Sequence, residues 1–160
     1  MRRIGIVGVP SSAGARQTGQ ERAPWAFRQA GLVERLRSAG NPVTEYGDLP
    51  EVSFQPDQQR PKAQNLELVA EVANRLAERV EAIVRDDNLP VILGGDCTIT
   101  LGVLAGMIRQ APDLDLLYFD GDLDLNTPDT TVSGILDGMV MAHILGEGVE
   151  ALARLGPRYP

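Results

Sequence analysis

The sequence predicts a single α/β domain, residues 1–160, in which helices cover both faces of a mainly parallel sheet. Two observations predict this three-layer α/β/α class. Short apolar, β-rich runs alternate with longer segments whose apolar residues repeat at steps of three and four. Their order is β-α-β-α-β-α-β-α, and successive strand–helix–strand units normally form a parallel sheet. The length and the 43% apolar content are enough for one substantial core.

The first half of the chain carries two predicted strands and two predicted helices. The β-rich run Ile4–Val9 predicts a first strand, which a proline ends. A loop rich in Gly and Ser leads into a helix predicted over residues 23–38, and Gly40 ends that helix. A short second strand is predicted at residues 42–46. The clearest helix covers residues 61–87, where a single apolar stripe is formed by Leu66, Val69, Ala73, Leu76, Val80 and Ile83.

The second half repeats this alternation. A buried third strand is predicted at Pro90–Leu93, a helix at residues 98–110 and a fourth strand at Leu114–Phe119. Two short helices are predicted at residues 137–145 and 149–155. In such sheets, ligands bind at the carboxyl ends of the strands. The functional site is therefore expected among the residues that follow them, which are 7–10, 94–98 and 120–126.

Charge and cysteine content narrow the function classes. The net charge of −7 and the pI of about 4.7 argue against nucleic acid or an anionic membrane as the main partner. No apolar run approaches the roughly 20 residues of a spanning helix, and the first apolar stretch is too short for a secretory signal. The single cysteine, Cys97, excludes an internal disulfide and suits a cytoplasmic location. These features favour a cytoplasmic protein whose main partner is neither nucleic acid nor an anionic membrane.

Three aspartates follow the fourth predicted strand in the segment LLYFDGDLDLNTP. Asp120, Asp122 and Asp124 occupy alternate positions, which places their side chains on one face of an extended chain. Such a cluster repels itself unless a cation lies between the carboxylates. A turn cap would explain Asp124 through local side-chain bonding, but it explains three aspartates on one face poorly.

Three common sequence patterns could account for polar residues after a strand, and this sequence matches none of them fully. A calcium loop of the EF-hand type fails, because its sixth position is Leu125 and its twelfth is Thr131. The glycine pattern of a dinucleotide-binding fold is absent after the first strand. A phosphatase with an aspartate nucleophile remains a weaker alternative, because that chemistry normally uses a downstream lysine and none follows Lys62.

The motifs along the chain resemble those of the arginase family. VILGGDCT resembles the motif L-G-G-D-H-S, YGDLP resembles a family turn, and YFDGDLDLNTPDTTVSGILDGM resembles D-A-H-x-D-x-N-T-P-x-T-T-x-S-G-N-x-H-G-M. This family comprises ureohydrolases such as arginase, agmatinase and formiminoglutamase. The resemblance implies hydrolysis of a linear guanidine or amidine, arginine-like or agmatine-like, to urea and an amine with two manganese ions.

The resemblance also implies roles for individual residues. Asp120 would bridge two metal ions, with Asp124 on the first ion and Asp122 on the second. Cys97 stands where the family has a histidine ligand of the first ion. Asn126 and Ser133 fall where the family binds the amino and carboxylate end of the substrate. Asp137 falls where the family has a histidine that relays protons.

This chain departs from the family pattern at three histidines, which are replaced by Cys97, Asp122 and Asp137. Thiolates suit zinc or iron better than manganese, and an aspartate is a poor acid at neutral pH unless its pKa is shifted. We therefore expect weak manganese binding and no hydrolysis by this chain alone. A catalytically degenerate binding or regulatory module is the alternative function. His143 lies in an apolar helical segment and is expected to pack there rather than bind metal.

The fold that the resemblance implies is an eight-stranded parallel sheet, in the strand order 2-1-3-8-7-4-5-6, built from about twice this length of chain. This chain resembles only the first half of that sheet. The fourth strand is therefore expected to pair directly with the third, or another chain is expected to complete the sheet. A homo-oligomer is the other expectation for its partners.

Overall fold

The computed structural model describes residues 3–156, and its centre is a parallel sheet of three strands. The strands are β1 (Ile4–Gly8), β2 (Val43–Asp48) and β3 (Leu89–Leu93), in the order β2-β1-β3. Ile4 of β1 pairs with Val43 on one side and with Leu89 on the other. All five residues of β1 are buried. This order agrees with the first three strands of the expected sheet.

Helices lie on both faces of this sheet. They are α1 (Ala23–Gln29), α2 (Leu32–Ser38), α3 (Leu66–Arg85), α4 (Ile99–Ile108), α5 (Val140–Ile144) and α6 (Glu150–Ala153). Because side chains alternate along a strand, Ile4 and Ile6 of β1 pack with Val33 of α2, whereas Val7 packs with Leu76 of α3. The predicted three-layer α/β class is confirmed. Among residues 3–156, no helix is long and apolar enough to cross a membrane.

The helix α4 packs closely against α3 because small residues line their contact. A Cβ atom added to Gly102 would lie 2.5 Å from the carbonyl oxygen of Ala73, and one added to Gly106 would lie 2.5 Å from that of Ala77. The other side of α4 joins α5 and α6 in a second apolar cluster. Its fully or almost fully buried members include Leu101, Leu136, Met139, Val140 and Leu152.

Left-handed residues alter two of the predicted helices. The helix predicted over residues 23–38 is divided into α1 and α2, because Gly31 has a left-handed backbone with φ of 78° that an α-helix cannot contain. The long helix begins at Leu66 rather than at residue 61, since Asn65 is also left-handed, with φ of 56°. At both positions the left-handed backbone conformation interrupts the helix, and the spacing of apolar residues does not predict that conformation.

The predicted fourth strand is wrong for this chain. Residues 114–119 run without regular secondary structure and pair with no strand within residues 3–156. Leu117 and Phe119 are 82% and 92% exposed. A strand is stabilised by its neighbour, and within the described part of the chain β3 pairs with β1 alone. The apolar run predicts a strand from its composition, but no strand among the described residues pairs with it.

Candidate metal and substrate site

A single cavity of about 640 Å³ brings the predicted site residues together. The loops after β1 and β3 form one wall, and residues 120–138 form the other. All seven residues named from the sequence line it, namely Cys97, Asp120, Asp122, Asp124, Asn126, Ser133 and Asp137. The remaining lining residues are Arg16, Gln17, Gln20, Thr131, Ile135 and Gly138.

The buried Asp96 fastens the two loops that form the first wall. Its carboxylate accepts hydrogen bonds from the backbone N–H groups of Gly14 and Thr98, both at 3.0 Å, and from the Thr98 hydroxyl. The neighbouring Gly95 lies so close to the loop after β1 that an added Cβ atom would overlap the carbonyl oxygen of Ser11. Burial raises the pKa of Asp96, although these hydrogen bonds oppose the shift. This arrangement fixes the position of the next residue, Cys97.

Three of the predicted metal ligands converge. One ligand atom each from Cys97, Asp120 and Asp124 lies within 4.8 Å of the other two. The thiol of Cys97 lies 3.5 Å from Oδ2 of Asp120. Asp122 is exposed and outside this group, and its backbone N–H donates to Oδ1 of Asp120 at 3.1 Å. The alternation therefore brings two aspartates together and leaves the middle one at the cavity wall.

Hydrogen bonds from residues that precede and follow it in the sequence fix the position of Asp124. Its carboxylate accepts a hydrogen bond of 2.8 Å from the hydroxyl of Tyr118, and its carbonyl accepts one of 3.2 Å from the N–H of Ala142. Its backbone is left-handed, with φ of 47°. Burial raises the pKa of Asp124, with the charges of Asp120 and Asp122 acting in the same direction. A cation at this position would offset both effects.

The thiol of Cys97 is protonated at neutral pH without metal. Burial raises its pKa to about 12, and the negative charges of Asp137 and Asp120 add to this shift. The pKa of Asp120 moves in the other direction, chiefly because the N–H of Asp122 stabilises its carboxylate. The cluster thus offers one carboxylate that is readily ionised and a thiol that needs a bound cation to lose its proton.

Asp137 is positioned to exchange a proton near neutral pH. Its Oδ1 accepts a hydrogen bond of 2.6 Å from the N–H of Cys97, and its own N–H donates to the carbonyl of Gly14 at 3.0 Å. Burial raises its pKa to about 6, and the charge of Asp96 contributes. This value is close to that of an ordinary histidine, the residue type that the family resemblance places here.

Asn126 and Ser133 stand on the outer wall, both exposed. The Oδ1 atom of Asn126 accepts a hydrogen bond of 3.2 Å from the hydroxyl of Thr130, and the Ser133 hydroxyl accepts one of 3.3 Å from the N–H of Ile135. These local bonds leave the Asn126 amide N–H₂ and the Ser133 O–H as donors toward the cavity. They can hydrogen-bond a carboxylate or another polar end of a ligand.

The remaining histidine does not take part in the cavity. His143 lies in α5 and is 1% exposed, with Nδ1 2.7 Å from the carbonyl of Met139. Burial lowers its pKa, so the ring is neutral. Its position agrees with the expected packing role.

Sequence reasoning missed Asp96, Tyr118 and Arg16. Asp96 lies inside the motif VILGGDCT, and its place between two glycines and Cys97 was the available signal. Tyr118 is the one residue of the apolar run with a polar tip, which is the type of side chain that bonds a buried carboxylate. Arg16 lies in the Gly- and Ser-rich loop between β1 and α1. It is the only positively charged residue among those that line the cavity.

Comparison with known proteins decides the family. The model of the Arginase family matches residues 2–159, which is nearly the whole sequence. This chain belongs to the arginase family. It is 35% identical to an arginase of Bacillus caldovelox, over 100% of this chain and 54% of that relative. It is 36% identical to human arginase-1, over 91% of this chain and 45% of that relative.

Solved structures give the same relationship. The native arginase of Bacillus caldovelox at pH 5.6 superposes with a TM-score of 0.90 at 35% identity, covering 100% of this chain and 54% of that one. The arginase of Bacillus cereus has a TM-score of 0.89 at 36% identity, covering 100% and 53%. An agmatine ureohydrolase of Thermoplasma volcanium shares the fold at 19% identity, with a TM-score of 0.62, covering 98% of this chain and 47% of that chain. The chain spans about half the length of the curated relatives it matches.

Proposed function

We propose that the cavity is the metal- and guanidinium-binding site of a ureohydrolase, which splits a C–N bond of an arginine-like or agmatine-like molecule. One observation carries the proposal. Seven residues from two separate motifs of an arginase-family chain line the same cavity, and three of them present metal-type donor atoms within 4.8 Å of one another. The net negative charge of the wall suits a small cationic substrate.

The donor set fits one divalent metal ion. Asp120 and Asp124 supply hard carboxylate oxygens, which manganese and magnesium prefer, whereas Cys97 supplies a softer sulfur that favours zinc or iron. A second ion would need Asp122, which lies outside the group. A bound divalent ion supplies Lewis-acid activation of a water molecule. Full occupancy by two manganese ions is therefore not the arrangement that these residues favour.

The other cavity residues have separate roles in this proposal. Asp137 accepts or delivers a proton, because its pKa of about 6 lies near neutral pH. The exposed donors of Asn126 and Ser133 hold the polar end of the substrate. Arg16 faces the same space and would pair with a carboxylate, which arginine has and agmatine lacks. The site thus favours an amino acid guanidine over a simple amine.

A second candidate function is binding without hydrolysis. The position of Asp122 outside the three-donor group favours it, since a site with fewer converging ligands holds its metal less tightly. In that case the chain would bind a guanidinium compound as a regulatory or carrier module. The two functions share a cavity and differ only in turnover.

Isothermal titration and a urea assay test the proposal. We expect arginine to bind in the presence of manganese or zinc, and the Asp120→Asn variant to lose at least tenfold in affinity. Asp87→Asn is the matched control, because Asp87 lies just before β3, at the end of the sheet opposite the cavity. Absence of arginine binding overturns the proposal. Binding without urea release selects the second candidate.

A further inference from the structure

The outer wall of the cavity includes a loop, residues 127–134, that contains neither helix nor strand. Half of its residues are exposed, among them Val132, which is 99% exposed, and Ser133. An exposed loop keeps a single conformation only where contacts with other groups offset the entropy that it loses. The position of the Ser133 hydroxyl therefore depends on the contacts that hold this outer loop.

Three hydrogen bonds from the segment that precedes α3 hold the outer loop. The ammonium group of Lys62 donates to the carbonyl of Thr131 at 2.6 Å. The side-chain amide of Gln64 donates to the carbonyl of Ser133 at 2.8 Å, and its backbone N–H donates to the carbonyl of Gly134 at 2.9 Å. The backbone is thus held at Ser133 itself and on both sides of it.

The outer loop also packs closely against this segment. Gly134 has a left-handed backbone with φ of 70°, and a Cβ atom added there would overlap the carbonyl oxygen of Pro61. The N–H of Gly134 donates to the hydroxyl of Thr131 at 2.9 Å, and Thr131 is 5% exposed. The loop is therefore closed on itself at the same place where the segment before α3 holds it.

The segment that donates these bonds is itself fixed. The Oε1 atom of Gln64 accepts a hydrogen bond of 3.2 Å from the N–H of Asp57, which directs the amide nitrogen toward the outer loop. The carboxylate of Asp57 accepts another, also of 3.2 Å, from the N–H of Asn65, which is 6% exposed. The next residue, Leu66, begins α3. The outer loop is thus joined to a helix whose apolar side lies in the core.

Lys62 and Gln64 can affect a ligand only through the outer loop, because neither of them lines the cavity. Thr131 and Ser133, whose carbonyls they hold, both line it. Lys62 is the only lysine in the sequence, and a hydrogen bond from a charged donor is stronger than one between neutral groups. Loss of either side-chain donor would leave the loop free to move away from the ligand.

We propose that Lys62 and Gln64 are positioning residues, which hold the outer loop so that Ser133 can bind the amino and carboxylate end of an amino acid guanidine. This inference rests on the proposed function for the class of ligand. The guanidinium end would lie at the aspartates, whereas the other end would depend on the outer loop. Loss of these bonds should therefore weaken the binding of arginine and leave the binding of a guanidinium compound without that end unchanged.

Calorimetric titrations of the chain with arginine and with methylguanidine, both in the presence of manganese, test the proposal. In Lys62→Met and in Gln64→Met, the affinity for arginine should fall about tenfold, whereas that for methylguanidine should change less than about twofold. Gln64→Met leaves the net charge unchanged, and Lys62→Arg, which keeps a charged donor, should restore most of the arginine affinity. Arg85→Met is the matched control, because it removes one positive charge at the far end of α3.

Amide hydrogen exchange measured by NMR tests the loop without a ligand. The N–H of Gly134 should exchange about tenfold faster in both methionine variants. The N–H of Asp137, which donates to the carbonyl of Gly14 at 3.0 Å, should keep its rate.

The outcomes separate this inference from the proposed function. Unchanged exchange at Gly134, unchanged arginine affinity in the methionine variants, or an equal loss of affinity for both ligands would each overturn the positioning role. An unsubstituted chain that binds neither arginine nor methylguanidine would instead overturn the proposed function. The exchange rates alone would then decide whether Lys62 and Gln64 hold the loop.

Discussion

At the scale of single residues, Asp137 stands where the family resemblance implies a histidine, and an aspartate there would change the charge of the site more than its proton chemistry. A histidine with a pKa near 6.5 is neutral or positive at neutral pH, whereas an aspartate is neutral or negative. Burial and the charge of Asp96 raise the pKa of Asp137 to about 6, so both residue types would titrate in the same pH range. An aspartate here adds negative charge beside Cys97 and Asp120, which makes the cavity more dependent on a cation.

The Asp137→Asn variant should stabilise the metal-free protein above pH 6. The folded-state pKa of about 6 exceeds the ordinary 3.8, so this carboxyl favours folding most below pH 4 and loses that contribution as the pH rises to 6. Discounted for partial exposure, the penalty above pH 6 is about 1 kcal/mol, or roughly 2–4 °C in Tm. Thermal melts with EDTA from pH 4 to 8 measure it. A Tm difference that does not depend on pH would contradict the assignment.

Cys97 should react slowly with a thiol reagent in the folded, metal-free protein. A pKa of about 12 instead of 9.0 lowers the thiolate fraction at pH 8 by about 1000-fold. We expect colour development with Ellman's reagent to be at least 100-fold slower than for glutathione, and faster in Asp120→Asn, where a nearby charge is lost. The urea-denatured chain provides the control for reagent quality. A native rate equal to the denatured rate would contradict the prediction.

The sequence grouped the seven named residues because two motifs carry them, and all seven line one cavity. Alternation placed Asp120, Asp122 and Asp124 beside the loop after β3, where the structure has them. It could not show that Asp122 lies outside the three-donor group, because Asp124 has a left-handed backbone that interrupts the regular alternation. The sequence could not predict the pKa of Asp137 either, because that value depends on burial and on the charge of Asp96, which are set by the tertiary structure.

At the scale of elements, the contact between α3 and α4 depends on two glycines. Gly102→Ala should destabilise the protein, because the new methyl group would lie 2.5 Å from the backbone oxygen of Ala73, and overpacking of this kind costs about 1–3 kcal/mol. The higher helix propensity of alanine, about 1 kcal/mol, opposes this and is smaller than the steric cost. Urea unfolding measures the change.

The control for this prediction is Gly121→Ala. No atom lies within 4 Å of the Cβ position at Gly121, so its unfolding midpoint should stay nearly unchanged. A Gly102→Ala variant that is as stable as the unsubstituted protein would show that the two helices can move apart at little cost.

Elements were predictable where a periodic pattern had a partner to pack on. The stripe of α3 and the apolar β1 run were both correctly identified, because each buries its apolar residues against the other. The segment Leu114–Phe119 has the composition of a strand but no neighbouring strand within residues 3–156. The composition of a segment indicates its tendency to form a strand, but pairing also requires a neighbouring strand.

At the scale of the whole molecule, acidic residues outnumber basic ones by 22 to 15. Part of this excess is concentrated at one cavity, whose lining includes four aspartates and one arginine. Like charges at short range oppose the compact state, and salt screens those that are exposed. Monovalent salt should therefore raise the stability of the protein modestly.

Divalent cations should stabilise the folded chain beyond this screening effect, but only at millimolar concentration. Repulsion among Asp120, Asp122 and Asp124 favours the binding of any cation. Within residues 3–156, however, the converging group has three donor atoms, which limits affinity and selectivity. With a Kd on the order of 1 mM, about 5 mM ion would add roughly 1 kcal/mol, or about 2–4 °C in Tm.

Thermal melts compare magnesium, calcium and manganese chlorides with sodium chloride at equal ionic strength. The Asp120→Asn variant should lose the difference between divalent and monovalent salt, whereas Asp87→Asn should keep it. Saturation of the Tm at micromolar manganese would show instead a tight site that these residues are not expected to form.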